Sequence, residues 1–145
     1  MKEKIHVIHP EDILPLLKKW MKKKEENFLV ITLNGAHEVI KVHHITKGLV
    51  NRTIIHPREA FFPCIKDYAT SLILCHNHPS GGHPEPSKGD DEITERLAKA
   101  AHIMGFNLLD HIIIEPNGTY SSYKLEGKLR EYQNRLSDED VFSWF

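Results

Sequence analysis

Ser71-Leu72-Ile73-Leu74-Cys75-His76-Asn77-His78-Pro79-Ser80-Gly81, continued through Gly82-His83-Pro84-Glu85-Pro86 to Ser87-Lys88-Gly89-Asp90, joins a strand to a helix. Residues 71–75 are a short apolar run of the kind that forms a buried strand. Two imidazoles one residue apart close it, and side chains at i and i+2 on a strand share a face. His76 and His78 can therefore reach one metal ion. A loop of Pro, Gly and polar residues follows, and Ser87 opens a helical pattern from which Asp90 can supply a third ligand. Two imidazoles and one carboxylate leave one tetrahedral position open, as in a catalytic rather than a structural zinc site. Zn2+ is the expected ion because it accepts mixed nitrogen and oxygen donors without redox chemistry.

Each of these residues also has a plainer reading. His76 and His78 can be polar residues at a strand end, satisfied by backbone and solvent. Ser87-x-x-Asp90 is close to a capping box, which satisfies free N–H groups at a helix start. A carboxylate bound to metal has less freedom to cap, so the two roles of Asp90 compete, with Asp91 as the alternative cap. Asn77 faces the other way and reads either as a residue supporting the ligands from behind or as a structural one. His83, in the loop, reads as exposed rather than as a fourth ligand.

Upstream, residues 28–33 form a continuous apolar strand, Asn34-Gly35 signals a hairpin, and residues 38–46 return. Residues 53–55 give a short strand. His56-Pro57-Arg58-Glu59 then starts a helix to about residue 68, with Ala60, Phe61, Cys64 and Ile65 inward. Nearer the start, Ile5 and Val7 read as a lead-in strand, and Pro10-Glu11-Asp12 opens a helix over about residues 10–24. Its apolar face is Ile13, Leu14, Leu16, Leu17, Trp20 and Met21; Pro15 shortens it from the front, and Lys22-Lys23-Lys24 is its solvated end.

Downstream, a helix over residues 87–104 buries Ile93, Leu97, Ala100, Ala101 and Met104 and stops at Gly105. Residues 106–114 form a strand, Pro116-Asn117-Gly118 turns, and residues 119–123 return. A polar helix over residues 125–136 follows. The aromatic tail Phe142-Ser143-Trp144-Phe145 is either packed back or an oligomer contact. This order predicts one α/β (α+β layered) domain over residues 1–145, with its core at about 28–123.

A chain of 145 residues can bury a sizeable core. Its 40% hydrophobic and 27% charged content is that of an ordinary globular protein. A net charge of −1 gives no electrostatic case for direct nucleic-acid binding or an anionic membrane. Cys64 and Cys75 lie in apolar surroundings without metal-type spacing, which fits a reduced, cytoplasmic setting. Charged and polar residues among the first 20 exclude a secretory apolar core, and no apolar run approaches a membrane span.

The motifs His76-Asn77-His78-Pro79-Ser80-Gly81, Pro86-Ser87-Lys88-Gly89-Asp90 and Leu108-Leu109-Asp110-His111-Ile112-Ile113-Ile114 resemble the RadC family, together with Asn51-Arg52-Thr53 and His56-Pro57-Arg58-Glu59. The resemblance covers about residues 28–121. RadC proteins carry the JAB/MPN (JAMM-type) metalloprotease-like domain. The resemblance therefore implies a cytidine-deaminase-like fold, with a curved mixed sheet flanked by helices. It further implies Zn2+ held by His76, His78 and Asp90, with Ser87 stabilising a tetrahedral intermediate. The implied activity is metal-dependent hydrolysis of peptide or isopeptide bonds, with a peptide or protein as substrate. Full-length RadC proteins also carry an N-terminal helix-hairpin-helix region, which the first 27 residues here are too few to hold. A role in DNA repair is thus expected to lack its usual binding module.

Two departures bear on activity. The family's loop between the second His and the Ser has seven residues, whereas residues 79–86 make eight, with the extra one placed at Gly81-Gly82-His83. The family also sets a Glu acid/base about five residues before a glycine on the hairpin's return strand. Counted back from Gly48, that position is His43, next to His44. Glu38 is five residues away, about 17 Å of strand and on the opposite face. His43 is then an acid/base in its own right, a fourth ligand that closes the site, or a passive replacement in a domain without catalysis. The first implies a hydrolase and the others a zinc-stabilised interaction module without catalysis; a nucleic-acid-associated repair factor is a weaker alternative that only the family resemblance suggests. Asp110-His111 reads as a buried structural pair, with Asp110 orienting a ligand His as the functional option.

Overall fold

The structure is a computed structural model and describes residues 3–48, 55–81 and 84–136. Strands β1 (Asn27–Leu33) and β3 (Ser71–Asn77) are buried at every position. Their place in the sheet explains why both read as unbroken apolar runs. The strand order is β2-β1-β3-β4-β5, with β2 (Val39–Lys47), β4 (Asn107–Ile114) and β5 (Tyr120–Ser122) completing five strands among the described residues. β1 pairs antiparallel with both β2 and β3, β4 pairs antiparallel with β5, and β3 runs parallel to β4. A central strand covered on both faces has no solvent side to make polar.

Alternation sorts the side chains into two cores. Phe28, Val30, Leu72, Leu74 and Ile113 face one way and pack with Phe61 of α2 (Pro57–Lys66), Ile93, Leu97 and Ala101 of α3 (Lys88–Met104) and Leu129 of α4 (Lys128–Asn134). Leu29, Ile31, Leu33, Ile73, Cys75, Ile112 and Ile114 face the other way, against Ile13 and Leu17. A fully buried Leu, Ile or Phe side chain stabilises by about 1.5–3 kcal/mol, so packing rather than strand propensity holds β1 and β3 in place. Parallel neighbours need a long crossover, and α3 supplies it between β3 and β4. Its C-cap, Gly105, has φ 82, a left-handed conformation that glycine adopts without a side-chain clash. This mixed sheet between helical layers is the architecture expected from the sequence.

Several local expectations change. The first helix is a 3₁₀ segment, Pro10–Leu17, followed by a single α turn, α1 (Lys18–Met21). Pro15 inside it has no N–H to donate, so a regular α ladder does not form there. Ile5 and Val7 make no strand: only an isolated bridge joins His6 to Glu38. Ile65 is 55% exposed, because the buried arc of α2 is Ala60, Phe61, Pro63 and Cys64 and Ile65 lies about 100° beyond Cys64. Met104 is 47% exposed because the buried run of α3 ends at Ala101. The final helix is seven residues, after a turn at Gly127 with φ 78. Asn51-Arg52-Thr53, most of the expected 53–55 strand, Gly82, His83 and the aromatic tail lie outside the described residues; Ile55 is buried but not in a strand.

Lys22, Lys23 and Lys24 are exposed, as expected. Cys64 and Cys75 are free and buried, and burial pushes the Cys64 thiol up to about 12, away from reactivity. No described helix is long and apolar enough to cross a membrane.

Candidate metal centre

The end of β3 and the first turn of α3 meet at one point. His76 is the penultimate residue of β3 and His78 follows its end, so both rings project to the α3 side. Their Nε2 atoms lie 3.0 Å apart. Asp90, the third residue of α3, places Oδ1 3.1 Å from His76 Nε2 and Oδ2 3.1 Å from His78 Nε2. Tetrahedral zinc with bonds of about 2.0–2.1 Å sets neighbouring donors about 3.3 Å apart. The three side chains are thus gathered to within a few tenths of an ångström of a ligand set. Among the described residues, no other group of three His, Cys, Asp or Glu is arranged to hold an ion.

The cap and the ligand roles of Asp90 do not compete in the way the spacing implies. Ser87 N–H donates to Asp90 Oδ2 at 2.8 Å, and Asp90 N–H donates to Ser87 Oγ at 3.0 Å, completing the capping box. Oδ2 also faces His78 Nε2 and Oδ1 faces His76 Nε2, so one carboxylate serves both. Burial raises the Asp90 carboxyl, but the adjoining imidazoles and the Ser87 N–H outweigh it and hold the group well below the usual carboxylate range. Asp91 is not the cap: it accepts from the Tyr123 hydroxyl at 2.7 Å. Ser87 is exposed at the rim, and accepting from Asp90 leaves its own hydroxyl proton free.

Asn77 is structural, as its facing implies. Its Oδ1 accepts from Asn27 N–H at 2.7 Å, and its Nδ2 donates to the Glu25 carbonyl at 2.9 Å, tying the start of β1 to β3. Asp110 does not orient a ligand. It is occupied by Ser122 Oγ and the N–H groups of His111 and Lys124, and burial raises its carboxyl. Its neighbour His111 takes the position instead: His111 Nε2 lies 2.8 Å from His76 Nδ1, and His111 Nδ1 lies 2.5 Å from Thr94 Oγ1. The His111 ring stacks on Tyr123 at 4.9 Å and is fully buried, which lowers its pKa well below the ordinary histidine value. A buried polar residue inside an apolar strand signals a partner, but the sequence does not say which.

His43 is not among the gathered groups. Sheet register sets it beside Val30, and Val30 beside Leu74, so it shares the face of His76 but stands two strands away. That is about 10 Å across the sheet and about 7 Å along it. Its Nε2 lies 2.6 Å from Oδ2 of Asp67, at the C-terminal end of α2. Thr32 Oγ1 donates to the same oxygen at 2.7 Å. Burial alone raises the Asp67 carboxyl; the hydrogen bonds from His43 and Thr32 prevail and lower it. Glu38 remains at the hairpin turn, accepting from Asn34 Nδ2.

Known proteins resemble this chain over most of its length. The family model described as "RadC-like JAB domain" matches residues 7–128. A UPF0758 protein of Methanospirillum hungatei is 47% identical over 114 residues, 77% of this chain and 50% of that protein. A UPF0758 protein of Staphylococcus epidermidis is 45% identical over 116 residues, 79% of this chain and 51% of the other. One from Clostridium kluyveri is 43% identical over 124 residues, 85% and 54% respectively. The chain spans about half the length of the curated relatives it matches.

Proposed function

The chain belongs to the RadC-like JAB-domain family, and on that footing we propose that it is a zinc-dependent hydrolase of peptide or isopeptide bonds. The observation that supports this most is the convergence of His76, His78 and Asp90, one donor fewer than tetrahedral zinc takes. Bound there, Zn2+ supplies Lewis-acid polarisation and makes water nucleophilic at neutral pH. Ser87 has a free hydroxyl proton to donate to the oxyanion that forms on the scissile carbonyl. The acid/base role falls to His43. Asp67 takes the hydrogen bond from its Nε2–H and leaves Nδ1 for proton transfer, a role that requires substrate or water to bridge the two-strand gap between His43 and His76.

A second reading, a zinc-stabilised interaction module without turnover, is favoured by the two-strand gap between His43 and His76. One experiment separates the two. The protein is loaded with Zn2+, its metal content is measured, and linear and isopeptide-linked fluorogenic peptides are offered. Thermal unfolding is then followed with and without a chelator. One zinc per chain, hydrolysis lost in His78→Ala, and a fold that survives chelation support the hydrolase. One zinc, no hydrolysis and unfolding on chelation support the module. Protein that takes up no zinc overturns both.

A further inference from the structure

We infer that His111 is a positioning residue, which, through Thr94, sets the tautomer of His76 so that Nε2 presents its lone pair to the metal. The inference rests on His76 acting as a ligand, and hydrogen-bond accounting carries it. Thr94 has one hydroxyl proton. Its Oγ1 lies 2.6 Å from the carbonyl oxygen of Asp90, which can only accept, so the proton points there or to the phenol oxygen of Tyr123 beside it. At 2.5 Å from His111 Nδ1, Oγ1 is then the acceptor, and His111 carries its hydrogen on Nδ1. The ring is fully buried between Tyr123 and Phe28 and is neutral, so its Nε2 is bare. A bare nitrogen 2.8 Å from His76 Nδ1 requires the hydrogen to sit on His76. With its hydrogen held on Nδ1, His76 turns Nε2 to the ion site.

The consequence reaches the ion site. His76 Nε2 faces the Asp90 carboxylate at 3.1 Å, and a cation between them would draw on the lone pair of the one and the charge of the other. Ligand histidines commonly donate their second N–H to a carboxylate or a carbonyl. Here a neutral imidazole does the work, and it lies on β4, 35 residues further along the chain. Thr94 sits one helical turn after Asp90, so the same stretch of α3 supplies a ligand and the anchor of the chain that orients another.

The test begins with metal-free wild-type protein. Long-range 1H–15N correlation spectra should show His76 protonated at Nδ1 and His111 at Nδ1. His111→Phe keeps a ring against Tyr123 but offers no acceptor, and should shift His76 towards the Nε2–H form and weaken Zn2+ binding by about 10–100-fold. His111→Gln, whose amide oxygen can stand near the lost Nε2, should restore most of that affinity. Thr94→Val, nearly isosteric, should weaken binding in the same direction and provides the readout if His111→Phe does not fold. An Nε2–H tautomer of His76 in the wild type overturns the inference, as do unchanged zinc affinity and tautomer in Thr94→Val. The wild-type spectrum needs no zinc, so this failure is distinct from a wild type that binds no metal, which would sink the ligand assignment itself.

Discussion

His43 Nε2 stands 2.6 Å from Asp67 Oδ2, tying the edge strand β2 to the end of α2. The pair has a direct consequence for any carboxylate placed at position 43. A Glu placed at position 43 would face an ionised Asp67, and like charges at such a distance oppose each other.

Restoring a carboxylate should therefore take two changes. His43→Glu alone is expected to lower stability. His43→Glu combined with Asp67→Asn should recover it and raise peptide hydrolysis by zinc-loaded protein at least tenfold, within the range for general-base catalysis of about 10²–10⁴. Initial rates on a fluorogenic peptide check this. No gain with one zinc still bound would show that the acid/base position is not the missing element.

The same pair predicts an acid-side loss of stability. The folded pKa of Asp67 lies below its unfolded value of about 3.9. Its contribution is fully present above that value and is lost as pH falls towards the folded pKa. Denaturant unfolding of wild type and Asp67→Asn should show a wild-type advantage at pH 6 that narrows as pH falls below about 4.

Metal uptake should depend on the gathered side chains. Replacing both His76 and His78 with Ala should abolish stoichiometric zinc binding; unchanged stoichiometry by elemental analysis would place the ion elsewhere. Asp90→Asn keeps an oxygen for the Ser87 N–H, so it should weaken zinc at least tenfold in competition titrations. Thermal unfolding of the metal-free variant should fall only by the worth of a weakened cap, about 0.5–2 kcal/mol.

Tyr123→Phe removes the hydroxyl that donates to Asp91 but leaves the ring stacked on His111. Because Asp91 is partly exposed, the cost should be about 1 kcal/mol in chemical denaturation. Zinc affinity should stay within about twofold, since the ring contact with His111 is kept.

How much was legible follows from distance along the chain. The pairing of His76 with His78 needs only strand alternation, and Ser87 with Asp90 needs only a helix start, so both could be read from spacing. The apolar runs at residues 28–33 and 71–75 showed central strands for the same reason. Asp90 was half legible: by spacing its cap and its ligand geometry look exclusive, yet Oδ2 takes the Ser87 N–H while both oxygens face the imidazoles. Pro15 was visible as a disturbance, but not the 3₁₀ form it takes.

The amino-acid sequence by itself determined that two imidazoles and a carboxylate converge where a buried strand hands over to a helix, because those relations lie within 14 residues and obey local periodicity. The tertiary structure alone decided that His111 and Thr94 stand behind His76 and that Asp67 holds His43. Those partners are 35, 17 and 24 residues from the side chains they touch, and only sheet register and helix packing bring them together. Register is set by the whole of both cores at once, and no spacing within a single stretch records it.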